Sequence, residues 1–254
     1  MNILKKIKYF GFEVQCPLCN SMLRNYLPLD KKYDVDLTIN GRTYGINDYE
    51  TLNVDHFMCP VCGADDRTRL YVLYLKEKLK EYNQDNKIQL LHFAPEKLLQ
   101  QMLKKKQFVD YRSADLYMKG VDDKVDITNM NIYPDNTFDV IICSHVLEHI
   151  VDVNKAISEL YRVMKLGAWA ILMAPILPEL PEDYENKAIT SPEDRLKYFG
   201  QDDHVRVFSK IGFISKLRDN RFIVKDLAVD YFGKESFVKN NITSKSVLYI
   251  VEKA

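Results

Sequence analysis

Glycine and proline are scarce, nine of each in 254 residues, so neither a collagen-like chain nor a long disordered stretch fits this sequence. An excess of one charge is missing too. Lysine plus arginine equals aspartate plus glutamate at 36 each. No global positive field gathers nucleic acid, although a local basic patch stays open. No apolar run reaches membrane-spanning length. Residues 1–12 carry lysines at 5, 6 and 8, but no apolar core of a signal peptide follows them. A cytoplasmic protein that does not engage a membrane is the expectation. A scattered disulfide framework is absent as well, since four of the five cysteines fall into two Cys-x-x-Cys pairs. What remains is a chain long enough for one large domain plus a small one.

Those pairs are Cys16-Pro17-Leu18-Cys19 and Cys59-Pro60-Val61-Cys62-Gly63. A two-residue gap turns both thiolates of a pair toward one point. Two pairs make a closed tetrahedral site, structural because no position stays open for water. A redox dithiol is the rival reading, but that motif comes once, at the start of a helix in a βαβ unit. One structural zinc held by Cys16, Cys19, Cys59 and Cys62 is therefore predicted. Between the pairs, residues 35–39 and 42–46 flank Asn40-Gly41, a strong β-hairpin signal. The second pair runs almost directly into a helix expected at 67–82, which argues for a docked module and a lid over a neighbouring site. Residues 1–65 are expected to form this module, and 66–254 the main domain.

From Asn86 onward short apolar runs alternate with helical ones. Strands are expected at 88–94, 108–114, 124–127, 138–144, 168–174, 212–214 and 247–251, with helices at 96–106 and 152–164. This pattern implies an α/β, Rossmann-like, doubly wound and mostly parallel seven-stranded sheet. Its ligands belong at the carboxyl ends of the strands, near the switch point. After the first strand the chain reads His92-Phe93-Ala94-Pro95-Glu96. No glycine pattern is there to let a pyrophosphate touch backbone, which argues against a dinucleotide. Asp115, after the second strand, is placed to accept hydrogen bonds from both hydroxyls of a ribose; a plain loop acid or helix cap is the alternative.

Phe138-Asp139-Val140-Ile141-Ile142, then His145-Val146-Leu147-Glu148-His149-Ile150, then Leu160 through Gly167, resemble the motifs of class I S-adenosylmethionine (SAM) dependent methyltransferases of the type 11 kind. The resemblance covers about residues 86–254. The run from Glu193 to Arg206, together with the four cysteines, resembles a bacterial subgroup that shares both features. The resemblance implies SAM as cofactor. It implies contacts from Phe93, Ala94, Glu96, Asp115, Leu116, Asp126, Ile127, Ser144 and His145, with Asp126 on the adenine amino group and Ile127 against the ring. The usual acid followed by Gly-x-Gly is absent; Glu96 is the substitute anion for the SAM ammonium. Leu166 replaces the usual proline of a turn.

Methyl transfer asks mainly for placement of the acceptor. A hydroxyl acceptor also needs a base, for which histidine is suited near neutral pH. Of the five histidines, His145 lies just past the fourth strand and His204 in the polar run 201–206; these two are the catalytic candidates. Arg206 and Asp203 are the substrate-binding candidates, with Arg206 holding an anionic group; a capped helix start with solvated charges is the bland alternative. Residues 175–205 carry several prolines and acids and are expected to form an acceptor-side insert. The expected reaction is O- or N-methylation of a small polar metabolite, a sugar or phosphate-bearing compound. An rRNA or tRNA base methyltransferase is one rival, and a non-enzymatic SAM-fold binding module another. A small-molecule acceptor is the expected partner, and monomer or homodimer the expected state.

Overall fold

The computed structural model describes residues 7–33, 35–83 and 85–254. The start of the expected cysteine module, Met1–Lys6, and positions 34 and 84 lie outside the described residues. The chain divides into two compact units that are not continuous in sequence. One comprises residues up to Val35, Gly45–Tyr82 and Leu227–Leu248; the other comprises Asp36–Tyr44, Asn83–Asp226 and Tyr249–Ala254. The hairpin expected to travel with the cysteines thus groups with the sheet, whereas the helix after the second pair groups with the cysteines.

In the first unit β1 (Phe10–Gln15) pairs antiparallel with β2 (Met22–Leu23). The helix Asp66–Lys78 is capped by Asp65, whose carboxylate accepts from Thr68 N at 2.7 Å. Arg69 on that helix is fully buried and holds the unit together. Its guanidinium donates to the carbonyls of His56, Phe57, Asn240 and Asn241 and stacks 3.9 Å from the Tyr26 ring centroid. A planar fork of five donors can serve four carbonyls and a ring face at once, which a lysine cannot.

The second unit begins with the hairpin β3 (Leu37–Ile39) and β4 (Arg42–Tyr44). Asn40 and Gly41 turn it with φ of 51° and 79°, both left-handed as a two-residue I′ turn requires. Seven strands then form one sheet: β5 (Ile88–Phe93), β6 (Val109–Asp115), β7 (Asp123–Lys124), β8 (Phe138–Ser144), β9 (Met164–Met173), β13 (Ile223–Leu227) and β14 (Leu248–Glu252). Their order is β13-β14-β9-β8-β5-β6-β7, with β7, β6, β5, β8 and β9 parallel and β14 antiparallel to β9. This is the Rossmann-like, doubly wound, mostly parallel sheet that the alternating pattern implied. The strand order reverses between β5 and β8, which makes their carboxyl ends the switch point. β8 is buried along nearly its whole length, as a nearly all-apolar central strand must be.

Two strand expectations are corrected. Gly212–Ile214 is no strand but part of the helix Lys210–Asp219. Ser209 caps that helix by accepting from Gly212 N at 2.9 Å, and Phe213 and Leu217, one turn apart, are both fully buried. A three-residue apolar run cannot tell a strand from a buried helical face. The third sheet strand is only Asp123–Lys124; Asp126 already caps a turn, accepting from Thr128 N and Oγ1 at 2.8 Å each. The segment expected as an acceptor-side insert, 175–205, has secondary structure of its own. β10 (Ile176–Leu177), β12 (Arg206–Ser209) and β11 (Tyr184–Glu185) form a three-stranded sheet with β12 central. The helix Pro192–Phe199, against which β3 packs, lies in the same segment.

Candidate functional site

The cysteine cluster is built from two copies of one backbone device. Asn20 N donates to Cys16 O and Gly63 N to Cys59 O, each at 2.9 Å. Cys16 N donates to Ser21 O at 3.0 Å and Cys59 N to Ala64 O at 2.8 Å. Each copy closes on a left-handed residue, Asn20 with φ 57° and Gly63 with φ 85°, as its tight turn demands. The four sulfurs lie within 4.8 Å of one another, with Cys16–Cys62 at 3.7 Å and Cys19–Cys59 at 3.9 Å. Four thiolates about 2.3 Å from one tetrahedral ion stand about 3.8 Å apart. The cluster therefore fits zinc. Hydrogen bonding, from Cys16 first, draws the Cys19 thiol well below its usual range and Cys59 down to about 7. Cys143, buried in β8, is pushed up by desolvation and behaves as core.

In the sheet unit Phe93 pairs with Ala114 on one side and Cys143 on the other, so β5, β6 and β8 end at one level. The residues that follow are Ala94, Asp115 and Ser144-His145. Ala94 has φ 43° and His145 φ 55°, both left-handed without being glycine. Such a conformation costs about 1–2 kcal/mol and persists only where the surroundings impose it. Ala94 thus makes the turn that a glycine usually makes. Glu96 is reached by His92 Nε2 at 2.7 Å, while Tyr111 O–H donates to His92 Nδ1 at 2.9 Å. Asp115 Oδ1 accepts from Tyr117 N and Met118 N at 2.6 Å each, which organises the next turn. Leu116, Tyr117 and Met118 beside it are exposed apolar side chains. Phe93, Ile127 and Ser144 are buried, whereas Asp126 stands exposed.

The chain after β8 makes a second cluster. His145 N donates to Met173 O, and a single helical turn at Leu147–His149 follows. Glu148 is 1% exposed, and neither carboxylate oxygen accepts a hydrogen bond of ordinary geometry. His145 Nδ1 stands 3.3 Å from its Oε1. Burial pushes the Glu148 carboxyl up, but His145 above all, with His204 and His149, outweighs it and keeps the group below the usual carboxylate range. His149 Nδ1 lies 3.2 Å from an Asp203 carboxylate oxygen. His204 is buried, holds Phe199 O through Nδ1 at 3.2 Å, and sets its ring edge-on to His149 with centroids 4.7 Å apart. Desolvation, opposed by Glu148, draws the His204 imidazole below its ordinary value.

The expectation for Arg206 changes. It is buried, and its guanidinium is spent on Glu185 at 2.8 Å and on the carbonyls of Leu147, Ile150 and Val151. With Val205 N donating to Glu148 O at 3.0 Å, β12 is fastened along the 147–151 loop. Arg206 is a tether for that loop, not an open grip for an anion; burial would leave an unpaired guanidinium too costly. His204 and Asp203 are brought to His149 by the same fastening. Glu148 and His149, quoted in the motif after the fourth strand, were not among the site candidates, and the structure brings them to His204. The only signal was an acid beside a histidine at the end of an apolar strand.

A family model described as a methyltransferase domain matches residues 79–172, which take in β5 through most of β9. Among solved structures, the YcgJ protein of Bacillus subtilis is 18% identical, covering 72% of this chain and 98% of that one, with a TM-score of 0.48. A SAM-dependent methyltransferase from Archaeoglobus fulgidus is 13% identical over 72% of this chain and 92% of its own, with a TM-score of 0.44. The search of curated proteins found no match. Strand order, rather than these distant likenesses, carries the fold. No helix among the described residues is long and apolar enough to cross a membrane.

Proposed function

We propose that the chain, whose residues 79–172 match a methyltransferase domain, is a class I, SAM-dependent enzyme that methylates a hydroxyl or amine of a small polar acceptor at the carboxyl ends of β5, β6 and β8. The observation that carries this reading is the pair of left-handed, non-glycine residues, Ala94 and His145, at the ends of the two strands that flank the switch point. Asp115 would hold the ribose of SAM through Oδ2, Glu96 its ammonium, and the exposed Leu116–Met118 turn its apolar side. The cofactor supplies an electrophilic methyl group when bound. The chain's own residues would position the acceptor, exclude water, and take the proton of a hydroxyl, for which the partly exposed His145 is best placed. Zinc is proposed for the four cysteines, as a structural ion. A sugar or phosphate-bearing acceptor is kept as the class to screen first.

Calorimetry with SAM and with S-adenosylhomocysteine tests the premise: one site per chain is expected for each, and no binding of either would overturn it. His145→Ala should then leave SAM affinity within about twofold while lowering kcat by about 10²–10⁴, the usual worth of a general base. Full turnover in that variant would remove the base assignment.

A further inference from the structure

A buried imidazole, a half-buried one and a buried carboxylate face one another in the sheet unit with no ordinary hydrogen bond among them to account for it. One ligand atom from each of Glu148, His149 and His204 lies within 4.8 Å of the others. Glu148 is 1% exposed, and both its oxygens lack a hydrogen bond. A desolvated carboxylate without donors is expensive, by several kcal/mol, unless a cation answers it. His145 supplies part of that answer from one side, at 3.3 Å from Oε1.

The histidines carry a second, independent mark. His149 Nδ1 is engaged by the Asp203 carboxylate and His204 Nδ1 by the Phe199 carbonyl. Each contact fixes the ring and leaves Nε2 as its remaining nitrogen. Histidines that ligate metals show this habit, donating one N–H to a carboxylate or backbone carbonyl while the other nitrogen faces the ion.

We propose that Glu148, His149 and His204 form a binding site for one divalent transition-metal ion, distinct from the four-cysteine cluster. Two nitrogens and one carboxylate oxygen suit zinc, manganese or iron(II) better than magnesium or calcium, which prefer oxygen alone. Three protein ligands leave a coordination position for water or for an acceptor oxygen. Its role rests on the methyltransferase reading: an ion beside His145 would orient an acceptor hydroxyl and make its proton easier to remove. Asp203 and Phe199 O act through the histidines and so position the ligands.

Manganese(II) is a suitable probe, because a four-thiolate site holding zinc has little affinity for it. Manganese binding to the full zinc-loaded chain, followed by electron paramagnetic resonance and calorimetry, should show one site per chain. Glu148→Gln, which keeps the shape, and His149→Ala should each weaken it at least about a hundredfold, with zinc content unchanged. Asp203→Ala should weaken it about tenfold, the usual worth of a residue that orients a ligand. Absence of manganese binding to the wild type, with the same result for cobalt(II) beyond the cysteine-held equivalent, would overturn the proposal. Undiminished binding in a folded Glu148→Gln chain would overturn it equally. SAM affinity measured in the same samples separates this outcome from failure of the methyltransferase reading, since ion binding needs no turnover.

Discussion

The cysteine cluster and the histidine–glutamate cluster gather similar numbers of ligand-type side chains and differ in almost everything else. The cysteines come from two short local devices, each closed by its own backbone hydrogen bonds and a left-handed residue. Around them the buried charge is answered, Arg69 with its four carbonyls being the clearest case, although the His56 Nδ1 nearby has no hydrogen-bond partner. The strand-end region is the reverse. Ala94 and His145 hold strained backbone, and Glu148 is buried without donors. A buried charge that is answered locally marks a part that exists to be stable; tolerated strain and an orphaned charge mark a part that exists to act.

Breaking the cysteine side should have the largest effect. Structural zinc sites of this type contribute about 10–16 kcal/mol of folding energy, as much as the whole stability of an ordinary domain. Cys59→Ser is therefore expected to release zinc and unfold the unit that contains Arg69. Hydrogen exchange should show amides of the helix Asp66–Lys78 losing protection, while those of β5 and β8 keep theirs. Equal protection in both units would erase the distinction between them.

At the strand ends effects should fall on binding rather than on folding. Asp115→Ala is expected to weaken SAM and S-adenosylhomocysteine alike, by about 1.5–3 kcal/mol, the worth of a hydrogen bond to a charged acceptor. Because Oδ1 also organises the Tyr117–Met118 turn, Asp115→Asn is the control that keeps a side-chain acceptor there. It should retain the melting temperature and lose part of the affinity. Calorimetry on both variants checks this, and unchanged affinity would move the ribose elsewhere. The smallest effect concerns backbone strain. Ala94→Gly should change stability by less than about 1 kcal/mol, since relief of the left-handed conformation offsets the looser unfolded chain. Ala94→Val, β-branched at the same φ, should cost about 1–3 kcal/mol. Thermal melts that rank valine level with glycine would show the turn to be unstrained.

Much of this molecule could be read from short-range pattern. The two Cys-x-x-Cys pairs, the Asn-Gly turn and the apolar run of β8 each name their own structure, because the chemistry that decides them lies within a few residues. The alternation of strands and helices fixed the doubly wound sheet for the same reason, through its period. Where a run was short, as at Gly212–Ile214, period could not decide, and the caps and burial of the helix Lys210–Asp219 did. Arg206 looked like an open cation because its charge is local, while its partners at Leu147, Ile150, Val151 and Glu185 are not. Glu148 and His149 acquire His204 only when β12 fastens along the loop after β8, bringing together residues more than fifty positions apart. The sequence by itself determined the local turns, the periodic elements and the thiolate set, since those depend on neighbours in the chain. The tertiary structure alone decided which charges are buried and what answers them, because desolvation and pairing act through space.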